Sequence, residues 1–446
     1  MTTLTLGRNG SASTPPQAPG QVAVRKVAVV RQGYVGLPLA LRAAGLGHQV
    51  IGYDIDEGRA CALAAGASPV EDVSDHHLAG LLSAGAYEPT HLTAALAGFD
   101  VAVIAVPTPV AADRTPDLGH VEAAARTLAV HLRPGALVVL ESTTYPGTTR
   151  RVGRILEAGS GLAAGRDFHL AYSPERIDPG NRVWTLENTP KLVAGIDAAS
   201  RDAAIGFYRD LVDEVVPVAD VETAELAKLL ENTTRAVNIA LVNELAPFCR
   251  DLGVSVWNVV AAAGTKPYGH LAYRPGPGVG GHCLPVDSQY LSWAAGQVSG
   301  RRLALVDLAC EVNESMPSYV VARLEQALAG RGIALAGAKV LLLGLAYKAD
   351  TSDVRESPAA AVAALLNAGG AEVWAADPHV PASRRTDPGF AGHRPAEADA
   401  ETVAAADALV LLADHAAFDY DLIAENASYV LDCRGRLPLG ESVEAL

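Results

Sequence analysis

The chain has 446 residues, half of them apolar, and carries a formal net charge of −15. This length exceeds one ordinary hydrophobic core, so we expect two or three domains. The acidic balance disfavours nucleic acid and anionic membrane surfaces as partners, although a local cluster of cations can still bind a phosphorylated small molecule.

The cysteine count and the first residues bear on the compartment. Five cysteines without a Cys-x-x-Cys pair argue against a disulfide framework and against a zinc site. We therefore expect a cytoplasmic protein without a bound metal. Residues 1–22 are rich in Ser, Thr, Pro, Gln and Gly and predict a disordered tail rather than a signal peptide. No run of about 18 apolar residues predicts a membrane span.

Strand and helix signals alternate after the tail. Lys26–Val30 predicts a buried strand, which a turn at Gly33–Gly36 and a helix from Leu37 to about Leu46 follow. Further strands are predicted at Gln49–Tyr53, Val101–Val106, Leu137–Glu141, Phe168–Tyr172 and Lys191–Ala194. The alternation predicts a parallel sheet with helices on both faces.

The pattern becomes helical from Asp220. Asp220–Cys249 predicts one long helix and Val254–Ala263 a second, and a Gly/Pro-rich loop is expected over Gly264–Pro285. Helical patterns resume over Asp287–Gln297 and Leu303–Ala329.

A second strand, glycine, helix and strand unit starts at Lys339. It comprises predicted strands at Val340–Leu343, Glu372–Ala375, Ala408–Leu412 and Tyr429–Leu431 and a helix at Pro358–Asn367. We therefore expect an α/β fold of two Rossmann-like doubly wound domains joined by a central long-helix domain. The predicted boundaries are 1–22 for the tail, then 23–215, 216–330 and 331–446 for the three domains.

The first turn is an incomplete dinucleotide fingerprint. Gly33 and Gly36 occupy its second and third glycine positions, and Arg31 replaces the first. Asp54 ends the next strand, where a carboxylate binds the adenosine ribose and favours NAD over NADP. The glycines alone could belong to an ordinary turn, but the strand, the helix and the acid favour a cofactor site. Arg31 could weaken NAD binding, point outward, meet the pyrophosphate or be an introduced change, and the sequence leaves these open.

Four other segments carry polar groups. Two of them, Glu141–Gly147 and Tyr172–Arg176, follow predicted strands, at the edge where open α/β sheets bind ligands. In the third, Lys228 and Asn232 share a helix face, a spacing that is more often a solvated surface. The fourth runs from Arg274 to Asp287 and contains Cys283. A lone cysteine is more often a small buried hydrophobe, but the Gly/Pro loop distinguishes this one.

These motifs together resemble the nucleotide-sugar dehydrogenase family, from about Arg25 to Gly435. The resemblance rests on Gly33-Tyr34-Val35-Gly36-Leu37-Pro38, Val106-Pro107-Thr108-Pro109, Glu141-Ser142-Thr143, Ser173-Pro174-Glu175-Arg176, Glu231-Asn232-Thr233, Gly280-Gly281-His282-Cys283, Gly344-Leu345-Ala346-Tyr347-Lys348 and Asp353-Val354-Arg355-Glu356-Ser357-Pro358. The His before the Cys, and Leu-Pro-Val-Asp after it, resemble the branch that acts on UDP-N-acetylhexosamines.

The resemblance implies an NAD-dependent, four-electron oxidation of the C6 hydroxyl of a UDP-sugar to a carboxylate. Cys283 would attack the aldehyde, and the resulting thiohemiacetal would be oxidised to a thioester. Glu175 would activate the hydrolytic water and Thr143 would help to position it. Lys228 and Asn232 would stabilise charge on oxygen, and Asp287 would support the proton network.

The resemblance also implies binding roles. Cofactor contacts are expected from Gly33, Tyr34, Val35, Gly36, Asp54, Arg59, Pro107, Thr108, Thr143 and Arg355. Substrate contacts are expected from Glu175, Arg176, Lys228, Asn232, Tyr273, Gly280, Lys348 and Arg434. A homodimer through the long helix and a place in polysaccharide biosynthesis are further expectations.

Three residues depart from the family pattern. Arg31 replaces a glycine, Arg274 stands where an aromatic residue is frequent, and Ser288 stands where proline is frequent. Because of Arg31, one alternative is a sugar-nucleotide-binding homologue with altered cofactor use, either redox-neutral and epimerase-like or non-oxidising. Another is a 3-hydroxyacid-type dehydrogenase, which shares the domain order but would not need the Cys283 loop.

Overall fold

The computed structural model describes residues 23–70, 73–111, 113–178, 181, 183–281, 283–381 and 392–446. The predicted tail and His282 lie outside these residues. The predicted fold class is confirmed, because two sheets with flanking helices enclose a helical middle part.

The first sheet follows the tail and has eight strands in the described part of the chain, in the order β3-β2-β1-β4-β5-β6-β7-β8. Only β6 and β7 pair antiparallel there, so the predicted parallel sheet holds for the other pairs. The inner strands are apolar beyond their first residues because helices cover both faces. The strands are β1 Lys26–Val30, β2 Gln49–Tyr53, β3 Tyr87–Thr90, β4 Val101–Ile104, β5 Leu137–Leu140, β6 His169–Tyr172, β7 Lys191–Gly195 and β8 Val215–Pro217.

Six α-helices of the described residues accompany this sheet. Several begin with a side-chain cap. The Asp56 carboxylate accepts a hydrogen bond from the backbone N–H of Arg59, and the Asp197 carboxylate accepts one from the backbone N–H of Ser200. The helices are α1 Gly36–Gly45, α2 Glu57–Ala64, α3 Asp75–Ser83, α4 Gly119–His131, α5 Thr148–Ser160 and α6 Ala198–Tyr208.

The middle part is formed by α7 Val221–Asp251, α8 Val256–Gly264, α9 Cys283–Ser299 and α10 Ala304–Gly330. The long helix α7 packs against both α9 and α10. The predicted loop over Gly264–Pro285 ends early, because α9 already begins at Cys283. Pro285 does not prevent this, since the first helical turn tolerates proline. Cys283 is therefore the first residue of a helix rather than part of a loop.

The second sheet has the order β11-β10-β9-β12-β13-β14, and its described pairs are all parallel. Its strands are β9 Lys339–Leu343, β10 Glu372–Ala376, β11 Arg394–Pro395, β12 Ala408–Leu411, β13 Val430–Asp432 and β14 Val443–Ala445. Its helices are α11 Pro358–Ala368, α12 Ala400–Ala405 and α13 Tyr420–Asn426.

The surface of α7 carries large apolar side chains that stay exposed in the single chain: Leu226, Leu230, Leu241 and Phe248. None of the helices within the described ranges has both the length and the apolar character needed to cross a bilayer.

Candidate active site

The turn between β1 and α1 has the backbone of a dinucleotide fingerprint despite its arginine. Arg31 has a φ of 81°, the left-handed region that favours glycine. A side chain at Gly36 would place its Cβ 1.9 Å from the Arg31 carbonyl oxygen, so this position requires glycine. The arginine therefore adopts the backbone conformation that glycine would have, at a cost of about 1 kcal/mol or more.

Gln32 fixes this turn from inside. Its fully buried side chain donates to the Val29 carbonyl at 2.8 Å and accepts from the Tyr87 hydroxyl at 2.8 Å. Its backbone N–H donates to Asp54 Oδ2 at 2.9 Å. Asp54 also pairs with Arg59 at 3.2 Å, so the expected ribose-binding carboxylate is held at the end of β2.

The C-terminal part of the chain reaches this turn through Arg355. Its guanidinium pairs with Asp353 at 2.6 Å and lies 5.7 Å from the centre of the Tyr34 ring. Ser142, after β5, donates to the Val106 carbonyl after β4 at 2.7 Å. This bond connects the segments that carry Thr143, Pro107 and Thr108, so the predicted cofactor residues after β1, β2, β4 and β5 lie at one edge of the sheet.

Lys228 and Asn232 lie on α7 opposite the start of α9, where Cys283 and Asp287 are located. Asn232 Nδ2 donates to Asp287 Oδ2 at 2.5 Å, and Asp287 is buried. Lys228 is also buried, yet no described residue forms a hydrogen bond or ion pair with its ammonium group. A buried lysine in this condition can donate to a bound oxygen anion.

Electrostatics keep the Cys283 thiol protonated. Burial raises its pKa to about 11; Asp287 adds to the increase, whereas Lys228 and Arg355 oppose it. The residue nevertheless keeps exposed surface and lines a cavity. Burial also raises the pKa of Asp287 to about 6, against the lowering effects of Lys228 and Asn232. Lys228 thus favours the thiolate, but it does not overcome burial in the free protein.

A cavity of about 740 Å³ opens beside Cys283. Its lining combines α7, the glycine-rich loop and the C-terminal part of the chain. Cations outnumber carboxylates in the lining, where only Asp178 and Glu231 are acidic among the described residues. Such a cavity suits an anionic ligand even in an acidic protein. Its cations are Arg176, Lys228, Arg235, Arg274, Lys348 and Arg434.

The loop glycines also have a packing role. A Cβ at Gly280 would lie 2.7 Å from both Pro358 and Tyr347, and one at Gly281 would lie 2.8 Å from the Tyr347 ring. These glycines let the loop pack against the C-terminal part of the chain. Gly276 instead faces Arg434, whose guanidinium nitrogen would be 3.1 Å from an added Cβ.

Two predicted substrate residues lie outside the described cavity lining. Tyr273 packs against the apolar cluster between α7 and α8. Glu175 is close to Lys191, whose ammonium is 3.6 Å from its Oε2. Of the other predicted substrate residues, Arg176, Lys228, Asn232, Gly280, Lys348 and Arg434 all line the cavity.

Lys191 is a site residue that the sequence did not predict. It begins β7, is buried, and joins Glu175 to Glu141, whose Oε1 is 2.9 Å from the ammonium. Tyr208 also donates to Glu141, at 2.5 Å. Burial raises the pKa of Glu141 although Lys191 opposes it, and the two carboxylates raise the pKa of Lys191 despite burial. A lysine at the start of an apolar strand was the available sequence signal.

Comparison with family models gives three matches in chain order. All three describe the UDP-glucose/GDP-mannose dehydrogenase family: its NAD binding domain matches residues 25–212, its central domain 222–315 and its UDP binding domain 341–438.

Individual relatives of the chain are also named as UDP-sugar dehydrogenases. The chain is 38% identical over 394 residues to a UDP-N-acetyl-D-mannosamine dehydrogenase of Pyrococcus horikoshii, which is 88% of this chain and 90% of the relative. It is 37% identical to a UDP-N-acetyl-D-glucosamine 6-dehydrogenase of Pseudomonas aeruginosa, over 74% of this chain and 78% of the relative. A solved UDP-D-ManNAc dehydrogenase from P. horikoshii superposes with a TM-score of 0.85 at 34% identity, covering 94% of this chain and 98% of the other.

Proposed function

Because the chain belongs to the UDP-glucose/GDP-mannose dehydrogenase family and uses NAD, we propose that it oxidises the C6 hydroxyl of a UDP-sugar to a carboxylate. The named relatives favour a UDP-N-acetylhexosamine as the sugar. One observation carries the proposal: the ammonium of buried Lys228, which has no partner among the described residues, lies with Cys283 in a cation-rich cavity.

The cavity fits the substrate's charges and the domains that contain it. Arg434 and Lys348 belong to the region that matches the family's UDP binding domain, and both line the cavity. Lys348 pairs with Asp178 at 2.7 Å, so that part of the lining is held across domains. We propose that these cations bind the diphosphate, which places the sugar towards Cys283.

The first oxidation converts the C6 hydroxyl to an aldehyde. Gly33, Gly36, Asp54 and Arg59 would hold NAD, which would supply the hydride acceptor for this step. The hydroxyl proton leaves through Asp287 and its network, since its raised pKa of about 6 suits a proton acceptor near neutral pH. Lys228 and Asn232 stabilise the negative charge that develops on the substrate oxygen.

The second oxidation uses Cys283. Its sulfur adds to the aldehyde carbon, and the thiol proton passes to the former carbonyl oxygen or its acceptor, which gives a thiohemiacetal. Loss of the hydroxyl proton and of a second hydride, for which a second NAD would be the acceptor, gives a thioester. Water activated by Glu175 and positioned by Thr143 then releases the carboxylate and restores the thiol. Because Cys283 is protonated in the free protein, Lys228 and Asn232 act on the addition step rather than by maintaining a resting thiolate.

We also propose a homodimer through the exposed apolar face of α7. Leu230 and Phe248 are 60% and 57% exposed in the single chain, which is unusual for large apolar residues on a long helix. A cytoplasmic location and a UDP-uronic acid product used in polysaccharide biosynthesis complete the proposal.

The test measures how many molecules of NADH form for each sugar that is consumed. The purified protein is mixed with NAD⁺ and each member of a UDP-sugar panel, and NADH is followed by absorbance. We expect about two NADH per sugar consumed, as a four-electron oxidation requires. Cys283→Ser should abolish formation of the acid, whereas Cys61→Ser, a change at another exposed cysteine, should leave it intact. No NADH with any sugar would refute the proposal.

A further inference from the structure

The guanidinium of Arg31 lies over the cofactor turn. A Cβ added to Gly33 would stand 3.4 Å from Arg31 Nε and 3.9 Å from Nη2. Gly33 is the glycine whose bare backbone lets a dinucleotide pyrophosphate approach. A cation therefore faces the place where the cofactor carries its negative charge.

The surrounding bonds maintain this placement. The Arg31 backbone N–H donates to the Tyr53 carbonyl at 2.7 Å, which anchors the residue to β2. The side chain of the next residue, Gln32, is directed inward, where its amide nitrogen donates to Val29 and its amide oxygen accepts from Tyr87. Tyr87 reaches Gln32 only because residue 52 is glycine, where an added Cβ would lie 2.5 Å from the Tyr87 hydroxyl. The turn is thus held by its own hydrogen bonds with arginine at position 31.

Among the described residues, the Arg31 cation lacks a counter-ion. Its guanidinium has no hydrogen bond or ion pair within the part of the chain that the structure describes, and it is only partly exposed. Burial lowers its pKa, and Arg59 and Arg355 lower it further, whereas Asp54 acts in the opposite direction. Asp54 is already engaged, because it accepts from Gln32 and pairs with Arg59.

Helix α1 adds a second, independent demand for an anion. It begins without an acidic residue in its first turn and without a side-chain cap at Val35. Leu37 donates to the Gly33 carbonyl and Pro38 has no N–H, so this helix offers the Gly36 N–H and the positive end of its dipole at the turn that carries Arg31.

We infer that Arg31 is a phosphate-binding residue, which pairs with the pyrophosphate of NAD at a position where the usual fingerprint has glycine. The long side chain can swing aside from Gly33 and donate to a phosphate oxygen, which supplies the missing counter-ion. The inference rests on the use of NAD and is independent of the proposed chemistry at Cys283.

Calorimetric titration of the full-length protein with NAD⁺ tests this directly, without turnover. Charge-assisted hydrogen bonds contribute enough that Arg31→Gly should weaken NAD⁺ binding about 10-fold to 100-fold, although it restores the fingerprint glycine. Arg31→Gln should weaken it comparably, and Arg31→Lys less. Affinity for adenosine, which lacks phosphate, should not change, and the salt dependence of NAD⁺ binding should decrease in Arg31→Gly.

Arg114→Gly is the matched control. Arg114 also has a positive φ, 62°, but it is exposed and already pairs with Glu314 at 2.9 Å. Its replacement relieves the same kind of backbone strain without removing a cation from the cofactor turn, so NAD⁺ affinity should be retained. The midpoint temperature of thermal unfolding should not be lower in Arg31→Gly than in the wild type, which separates lost binding from lost folding.

Tighter or unchanged NAD⁺ binding by Arg31→Gly would overturn the inference, because the arginine would then obstruct the site or point away from it. The two proposals fail separately. If NAD⁺ binding depends on Arg31 but no sugar is oxidised, the inference stands and the proposed function fails. If a sugar is oxidised but NAD⁺ binding does not depend on Arg31, the proposed function stands and the inference fails.

Discussion

The protonation state of Cys283 makes a quantitative prediction. Its surroundings raise the pKa of the thiol from 9.0 to about 11. A shift of about two units reduces the thiolate fraction about 100-fold near neutral pH. Since the thiolate is the reactive form, we expect iodoacetamide at pH 8 to alkylate Cys283 about 100-fold more slowly in the native protein than in the urea-unfolded chain.

The charges beside the sulfur fix the direction of two variant effects. Asp287 raises the thiol pKa and Lys228 lowers it. Asp287→Asn should therefore accelerate alkylation at pH 8, and Lys228→Met should slow it. In the native protein the rate should continue to rise as the pH increases towards 11, because the thiol keeps its proton until then.

Peptide mass spectrometry can follow Cys283 and Cys61 in the same sample, and Cys61 serves as an exposed reference. Steric crowding would slow alkylation equally at every pH, so the pH dependence separates crowding from protonation. Equal alkylation rates of native and unfolded Cys283 at pH 8, or faster alkylation in Lys228→Met, would refute the raised pKa of the thiol and its cause.

Two further predictions concern stability and assembly. Lys191→Met should lower the free energy of unfolding in urea by about 3 kcal/mol, because it leaves the buried Glu141 and the partly buried Glu175 without their cation. Adding Glu141→Gln should recover part of this loss, and no recovery would contradict the proposed pairing. Leu230→Glu should convert a dimer to a monomer in light scattering, because it places a charge in the apolar face of α7. The matched change Leu92→Glu, at a leucine that is 59% exposed elsewhere, should leave the dimer intact, and a monomeric wild type would count against the interface.

The central strands were predictable because they are short apolar runs with buried residues on both faces. The edge strands were not. Tyr87–Thr90 and Val215–Pro217 each contain a proline, which weakens a strand signal and confines such segments to sheet edges. The start of α9 was also missed, because prolines and glycines before Asp287 indicate a loop, whereas the first turn of a helix accepts Pro285.

Parts of the candidate site could be predicted from local spacing. Lys228 and Asn232 are one helical turn apart, so their common face follows from the sequence. The bond from Asn232 to Asp287 does not, because it depends on how α7 packs against α9. The approach of Lys191 to Glu141 and Glu175 is equally non-local. It requires β7 to pair antiparallel with β6, which no periodicity reveals.

The central claim is that Cys283 forms a covalent bond with the oxidised sugar. Its most direct test is the mass of the Cys283 peptide from Glu175→Gln protein that has been mixed with NAD⁺ and a UDP-N-acetylhexosamine and quenched with acid. If Glu175 activates the hydrolytic water, the thioester should accumulate, and this peptide should carry the mass of the uronyl adduct. The adduct should be absent without NAD⁺. Continued release of the acid by Cys283→Ser, or an adduct on any other residue, would contradict the account.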